Sequence, residues 1–187
     1  MGSNAREAIL DSARRTAQSH GYNGLNFREI AADVGIKAAS IHYHFAGKAE
    51  LGAALARRYR EDAAARLEAM RLEAGNPAEC LHRYPELFRK ALETGNRMCL
   101  CSIMAAEYED LPEAVRQEVQ AFADVNVSWL ASRLADAGLV HGGEGEMRAR
   151  AIFAAIAGAQ LMARSRADIG LYDALIGSYR AAGLLPA

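Results

Sequence analysis

The sequence predicts an all-α protein, and three observations carry that expectation: an abundance of alanine, a shortage of strand material, and apolar residues recurring three and four apart. Alanine fills 40 of 187 positions and proline only 4, and runs of β-branched residues are scarce, so the best helix former dominates. At 187 residues the chain is one large domain or a small domain joined to a medium one, long enough to build a core. About nine helices are expected.

Asn4-Ala5-Arg6-Glu7 has the spacing of a capping box, with Ile9, Leu10, Ala13 and Ala17 following on one face. The first helix is therefore expected from Ala5 to Ser19, ending at Gly21. Asn26-Phe27-Arg28-Glu29 repeats the box, and Gly35 is suited to a left-handed cap, which predicts a helix of about eight residues. A second short helix fits Ala38 to Phe45, with Ile41 and Phe45 facing inward. From Lys48 one stripe of Leu51, Leu55, Tyr59, Ala63, Leu67 and Met70 carries a long helix toward Gly75-Asn76-Pro77.

Pro77 to Thr94 reads as a helix kinked at Pro85, because the ring removes a donor and crowds the Leu81 carbonyl. Met98 to Tyr108 is almost wholly apolar and is expected to be a buried helix. Asp110 opens a long helix toward Gly138, striped by Val115, Val119, Phe122, Asn126, Trp129, Leu130 and Leu134. Gly142 to Gly145 reads as a loop and not a phosphate cradle, since no Lys-Ser/Thr follows and no strand precedes it. Two last helices are expected over about 146–168 and 171–182.

Composition narrows the function classes. No apolar run reaches 18 residues and the opening lacks the layout of a signal peptide, so a cytoplasmic chain without membrane contact is expected. Three cysteines in a chain with core material are expected as reduced thiols. The net charge of -1 conceals a basic excess of two in residues 1–48, where six basic residues face four acidic ones.

Two short helices joined by a Gly-containing turn and braced by a longer first helix form a helix-turn-helix, whose second helix is slim and polar enough to enter the DNA major groove. Ile30, Ala31, Ile36 and Ile41 would hold the pair together. The outward positions are Lys37, Ala38, Ala39, Ser40, Tyr43 and His44, with His42 beside the buried Ile41. Arg28, Lys37 and Lys48 surround the second helix and suit phosphate contact; Tyr43 and His44 suit base or phosphate contact. Asn26 completes the candidate DNA-binding set.

The stretch Asn26-Phe27-Arg28-Glu29-Ile30-Ala31, Gly35-Ile36, Ser40-Ile41-His42-Tyr43-His44-Phe45, Gly47-Lys48 and Leu51 resembles the N-terminal signature of the tetracycline-repressor (TetR) type of bacterial transcriptional regulators. It departs from that signature at Lys37, where Ser or Thr is usual, at Ala39, where Gly is common, and at His42, where Tyr is usual. The resemblance implies a DNA-binding head over 1–48, an all-helical ligand-binding and dimerisation body over 49–187, and a homodimer formed through the last two helices. For that dimer, Ile152, Ala155, Ile156, Ala159 and Met162 offer a stripe with small residues, and Leu171, Leu175 and Tyr179 are available from the last helix. Two heads about one DNA turn apart, roughly 34–36 Å, would read a pseudo-palindromic double-stranded operator.

In the body, Arg97-Met98-Cys99-Leu100-Cys101 followed by Met104 and the Ala106-Glu107 pair resembles a subset of the family, some of whose members sense electrophiles or oxidants through the cysteine. A thiol near a helix start and an arginine is placed for a lowered pKa, whereas cysteine is also a common buried hydrophobe; sensor and wall residue both remain open for Cys99 and Cys101. The candidate ligand-binding set is Phe88, Met98, Cys99, Cys101, Met104, Tyr108, Phe122, Asn126 and Trp129, which could line an apolar cavity or simply fill a core. Cys80, His82, Cys99 and Cys101 make a poor metal site, because residues two apart point about 200° apart on a helix.

A ligand-responsive repressor released by a small-molecule or electrophile inducer is the expected function. The alternatives are a constitutive DNA-binding protein with a filled body and a small all-helical enzyme; against the enzyme, the sequence carries no nucleophile-base-acid set. No cofactor or metal is expected.

Overall fold

The computed structural model describes residues 2–141 and 143–186, and every regular element among them is helical. In chain order they are α1 Gly2–His20, α2 Phe27–Val34, α3 Ala38–His44, α4 Lys48–Glu73, α5 Pro77–Arg83, α6 Glu86–Glu93, α7 Leu100–Ala105, a 3-10 turn Tyr108–Asp110, α8 Glu113–Asp136, α9 Gly145–Arg166 and α10 Ile169–Ala181. Two compact units emerge, one of residues 1–62 and 100–122, the other of 63–99 and 123–187.

In the first unit α1 packs against α2, α3 and α7. Its buried stripe is Ile9, Leu10, Ala13 and Ala17, and Ile30 and Ala31 of α2, Ile41 and Phe45 around α3, and Leu51 and Leu55 of α4 are buried in the same unit. Ion pairs frame that core: Arg15 with Asp33 at 2.5 Å, and Arg58 with Glu7 and Asp11 at 3.1 and 3.0 Å. Hydrogen bonds from Ser12 and Arg15 hold the Asp33 carboxyl below its usual range. Because the Arg15–Asp33 pair is solvent-exposed, its stabilising effect is small.

One boundary differs here. The helix starts at Gly2, so Asn4 lies inside its first turn and does not cap it. A helix can begin upstream of such a pair, whose residues then lie inside it, so the box alone does not fix the start.

In the second unit α9 packs on α10 and α6, and α10 on α6. Asn76 caps α5 by accepting from Glu79 N–H, with Pro77 in the first turn where its missing donor costs nothing, and Asp168 caps α10 at Leu171 N–H. The expected kink at Pro85 is a break into two helices, α5 and α6, so the described residues hold ten α-helices, or nine if this pair counts as one. Proline cannot donate back to the Leu81 carbonyl, and the Pro85 carbonyl starts α6 by accepting from Phe88 and Arg89 N–H while also accepting from the Tyr172 hydroxyl at 2.7 Å. The helix expected over Met98–Tyr108 is likewise shorter, six residues of α7 followed by the 3-10 turn. Of the loop expected around 142–145, Gly142 lies outside the described residues and Gly145 opens α9.

The expected dimer stripe is turned the other way. Ile152, Ile156 and Ala159 have no solvent exposure, because their spacing faces α9 toward its own unit. Only Met162 of the buried-looking set is on the surface, together with Leu161, Ala151, Ala154 and Gly158. Periodicity identifies an apolar face without saying whose core it enters.

Several buried polar groups in this unit are paired, whereas the Trp129 indole N–H and the Arg133 and Arg180 Nε–H groups have no partner among the described residues. Gln160, with no exposure, accepts from Cys99 N–H at 2.9 Å and donates to the Phe88 carbonyl at 2.7 Å. The Tyr84 hydroxyl donates to Asn126 Oδ1 at 2.8 Å while its ring stacks on Trp129 with centroids 5.7 Å apart. Burial pushes the Tyr84 and Tyr172 phenols up, so the stability they contribute is fully present below their ordinary value of 10.0 and declines as the unfolded chain ionises above it.

Gln160→Leu keeps the side-chain volume but strands one buried donor and one buried acceptor, each worth about 1–3 kcal/mol. Urea denaturation should show a loss of about 2–4 kcal/mol with unchanged native helicity. A loss below about 0.5 kcal/mol would show that the two backbone groups find other partners.

Candidate nucleic-acid interface

The site is built from α2, the turn after it, and α3. Asn26 starts α2 by accepting from Arg28 N–H at 2.9 Å. Gly35 ends it at φ 76°, a left-handed conformation in which Ile36 N–H returns to the Ala31 carbonyl at 3.0 Å. A β-carbon there would meet no neighbour, so the need for glycine is one of backbone conformation alone. Lys37, extended, leads into α3.

Ile41 and Phe45 anchor α3 with essentially no exposure, and the Arg6 guanidinium sits 5.2 Å from the Phe45 ring centre. Their burial turns the opposite face to solvent. Tyr43 is 85% exposed, Ala39, Ser40 and His42 are exposed, and Ala38 and His44 are half-buried. His42 is not free of the fold, since its ring lies 4.9 Å from that of Phe27; Tyr43 meets His44 edge-on at 5.2 Å. Hydroxyls and imidazoles in such a row can donate to or accept from base edges and phosphates, while Arg28 and Lys37 stand exposed beside them. Asn26 is partly committed, because its side-chain oxygen is spent on the cap.

Lys48 is placed at the start of α4, where its ammonium donates to the Asn23 carbonyl at 2.9 Å and lies 4.8 Å from the Tyr22 ring centre. Two of its three donors remain for another partner. Around it stand residues that sequence patterns did not single out for this site. Glu50 accepts from Ala46 N–H at 2.7 Å, which fixes the approach to α4. Glu107 accepts from Tyr22 N–H at 2.5 Å and Asn23 N–H at 3.2 Å, and Asp110 accepts from the Asn23 amide at 2.7 Å. A separation of 84 to 87 positions leaves no periodic signal for these last contacts.

The candidate ligand residues fall in both units. In the second, Phe88, Met98, Cys99 and Asn126 are buried and Trp129 is half-buried. In the first, Cys101, Met104 and Phe122 are buried, whereas Tyr108 is 51% exposed under the Arg116 guanidinium. Among the described residues no group of three or more His, Cys, Asp or Glu could hold a metal, and no helix is long and apolar enough to cross a membrane.

Fold and site together define an all-helical protein with a helix-turn-helix near its start. The family description "Bacterial regulatory proteins, tetR family" matches residues 9–55. The chain is 43% identical over 61 residues to the HTH-type transcriptional repressor AcnR of Corynebacterium efficiens, a match spanning 33% of this chain and 31% of the relative. A TetR-family regulator from Agrobacterium tumefaciens superposes with a TM-score of 0.87 at 29% identity, covering 94% of this chain and 95% of that one. A TetR regulator from Legionella pneumophila gives 0.86 at 27%, covering 90% and 91%. FadR of Bacillus subtilis, solved in complex with stearoyl-CoA, shares the fold with a TM-score of 0.68 at 18% identity, covering 91% and 95%. Residues 9–55 thus carry the tetR-family match, and over nearly its whole length the chain has the fold of TetR-family regulators.

With 2% and 3% exposure, Cys99 and Cys101 should react with N-ethylmaleimide only through opening of the fold. Site-resolved mass spectrometry is expected to show labelling of both slowed by at least about 100-fold against the urea-unfolded chain. Labelling of Cys99 at the unfolded rate would make it an accessible thiol and revive a sensing role.

Proposed function

We propose that this protein is a ligand-responsive transcriptional repressor that binds a pseudo-palindromic DNA operator as a homodimer. The observation that carries the reading is the outward face of α3, where Ser40, His42 and Tyr43 stand exposed on a helix whose other side is anchored by Ile41 and Phe45. Residues 1–48 form the DNA-binding head and 49–187 the body in this reading. Lys37, Ala38, Ala39, Ser40, His42, Tyr43 and His44 approach the groove, and Asn26, Arg28 and Lys48 approach phosphates. The name of the AcnR relatives, which match over the head, supports repression as the sign of regulation.

The dimer would form through the outer faces of α9 and α10. Leu161 and Met162 are 57% and 48% exposed, and Ala154, Gly158, Ala174 and Gly177 are small exposed positions that permit close helix approach. The inducer is a small molecule with an apolar body, met by Phe88, Met98 and Trp129, and the stearoyl-CoA complex of FadR supports such a role for this fold. A second reading, constitutive DNA binding, is favoured by one observation: Asn126, the expected polar anchor, already accepts from Tyr84.

The test is affinity for a duplex that the parent protein selects from a random-sequence pool. Tyr43→Ala removes an exposed ring, so its melting temperature should match the parent while binding weakens by about 1–3 kcal/mol, roughly 5- to 150-fold. Unchanged affinity would remove Tyr43 from the interface, and a pool yielding no consensus would contradict operator recognition.

A further inference from the structure

We propose that Glu107 and Asp110 are positioning residues for DNA binding: through Asn23 they hold the Lys48 ammonium where a phosphate oxygen would meet it. This rests on the phosphate contact proposed for Lys48 and extends it to residues far away in sequence.

A lysine on a flexible four-carbon stem reaches a phosphate from many rotamers, and all but one are lost on binding. Here the ammonium is already held, by the Asn23 carbonyl at 2.9 Å on one side and the Tyr22 ring at 4.8 Å on another. Neither group holds itself. The turn carrying them lies between α1 and α2, and its anchors come from the segment after α7. Glu107 takes the N–H groups of Tyr22 and Asn23, one on each carboxylate oxygen, and Asp110 takes the Asn23 side-chain amide. Asn23 is thus fixed by its N–H and its side chain while its carbonyl fixes Lys48.

Gly21 shows how tightly the turn lies against the carboxylate. Its φ of 73° is left-handed, and a β-carbon built there would stand 2.3 Å from a Glu107 oxygen. A side chain at 21 would have to displace the carboxylate from the turn. The two carboxylates also have a cost, because bare negative charge near a DNA-binding surface repels phosphates. Their presence in this turn is accounted for if their hydrogen bonds, and not their charge, serve binding.

That distinction makes the proposal testable. Glu107→Gln and Glu107→Ala remove the same charge, but glutamine keeps one acceptor oxygen for the turn and alanine none. On a duplex selected by the parent from a random-sequence pool, Glu107→Ala should bind about five-fold more weakly than Glu107→Gln. Lys48→Ala should flatten the slope of log affinity against log salt by about 0.9 for each phosphate that the variant no longer neutralises. Glu107→Ala added to Lys48→Ala should then cost no further affinity, because the group it positions is gone. Asp110→Ala, which touches only the Asn23 amide, should show the same non-additivity and carries the test if Glu107→Ala fails to fold.

Equal affinities for the Ala and Gln variants, or fully additive losses with Lys48→Ala, would overturn the proposal while leaving DNA binding intact. A parental salt slope in Lys48→Ala would overturn both the positioning and the phosphate contact beneath it; the α3 reading would still stand on Tyr43→Ala.

Discussion

The burial of Ile41 and Phe45 is the constraint on which the rest of the candidate site depends. Four positions apart and both essentially without exposure, they fix the rotation of a seven-residue helix that has too few internal bonds to be stable alone. Burying two such side chains is worth about 1.5–3 kcal/mol each, enough to decide which face of α3 meets water. The contacts proposed for α3 follow from that rotation. Ser40, His42 and Tyr43 are outward because 41 and 45 are inward, and Gly35 is left-handed because the turn must bring those two residues onto α1 and α2.

Apart from the Tyr43–His44 edge contact, the support of the candidate surface comes from residues outside it. Phe27 beneath His42 and Arg6 beneath Phe45 support α3 from behind, and the turn at 21–23 supports Lys48. In the second unit the same economy applies to polar groups. Gln160 satisfies two backbone groups at once, and the Tyr84 hydroxyl donates to Asn126. The body therefore specifies one packing through a few buried polar residues, which a purely apolar stripe would leave degenerate.

The head was largely legible in the sequence because its determinants are local. Asn26 as cap, Gly35 as stop, and Ile41 with Phe45 as inward pair are read from residues two to nine positions apart, and the structure places each in that role. The first capping box was legible as chemistry but not as a boundary, since Asn4 lies within the helix it was expected to open. Pro85 announced a disturbance, yet the Tyr172 hydroxyl that meets its carbonyl lies 87 positions away and leaves no trace in local spacing. The α9 stripe was legible as apolar and misassigned as an interface, because Ile152, Ile156 and Ala159 satisfy the same periodicity whether they meet a partner or their own unit. Glu107 was visible only as part of a family-like pair, and its grip on Tyr22 and Asn23 has no trace in local spacing.

The central claim is that the outward face of α3 enters the major groove, once from each protomer of a dimer. Ser40 is exposed on that face, whereas the three native cysteines are buried, so a Ser40→Cys variant can carry a single tethered iron-EDTA group under native conditions. Cleavage of the selected duplex, mapped on both strands, is the most direct measurement. Two clusters of cuts centred about one helical turn apart, roughly 34–36 Å, are predicted. Cutting no stronger than that of untethered reagent, or confined to a single cluster, would contradict the account.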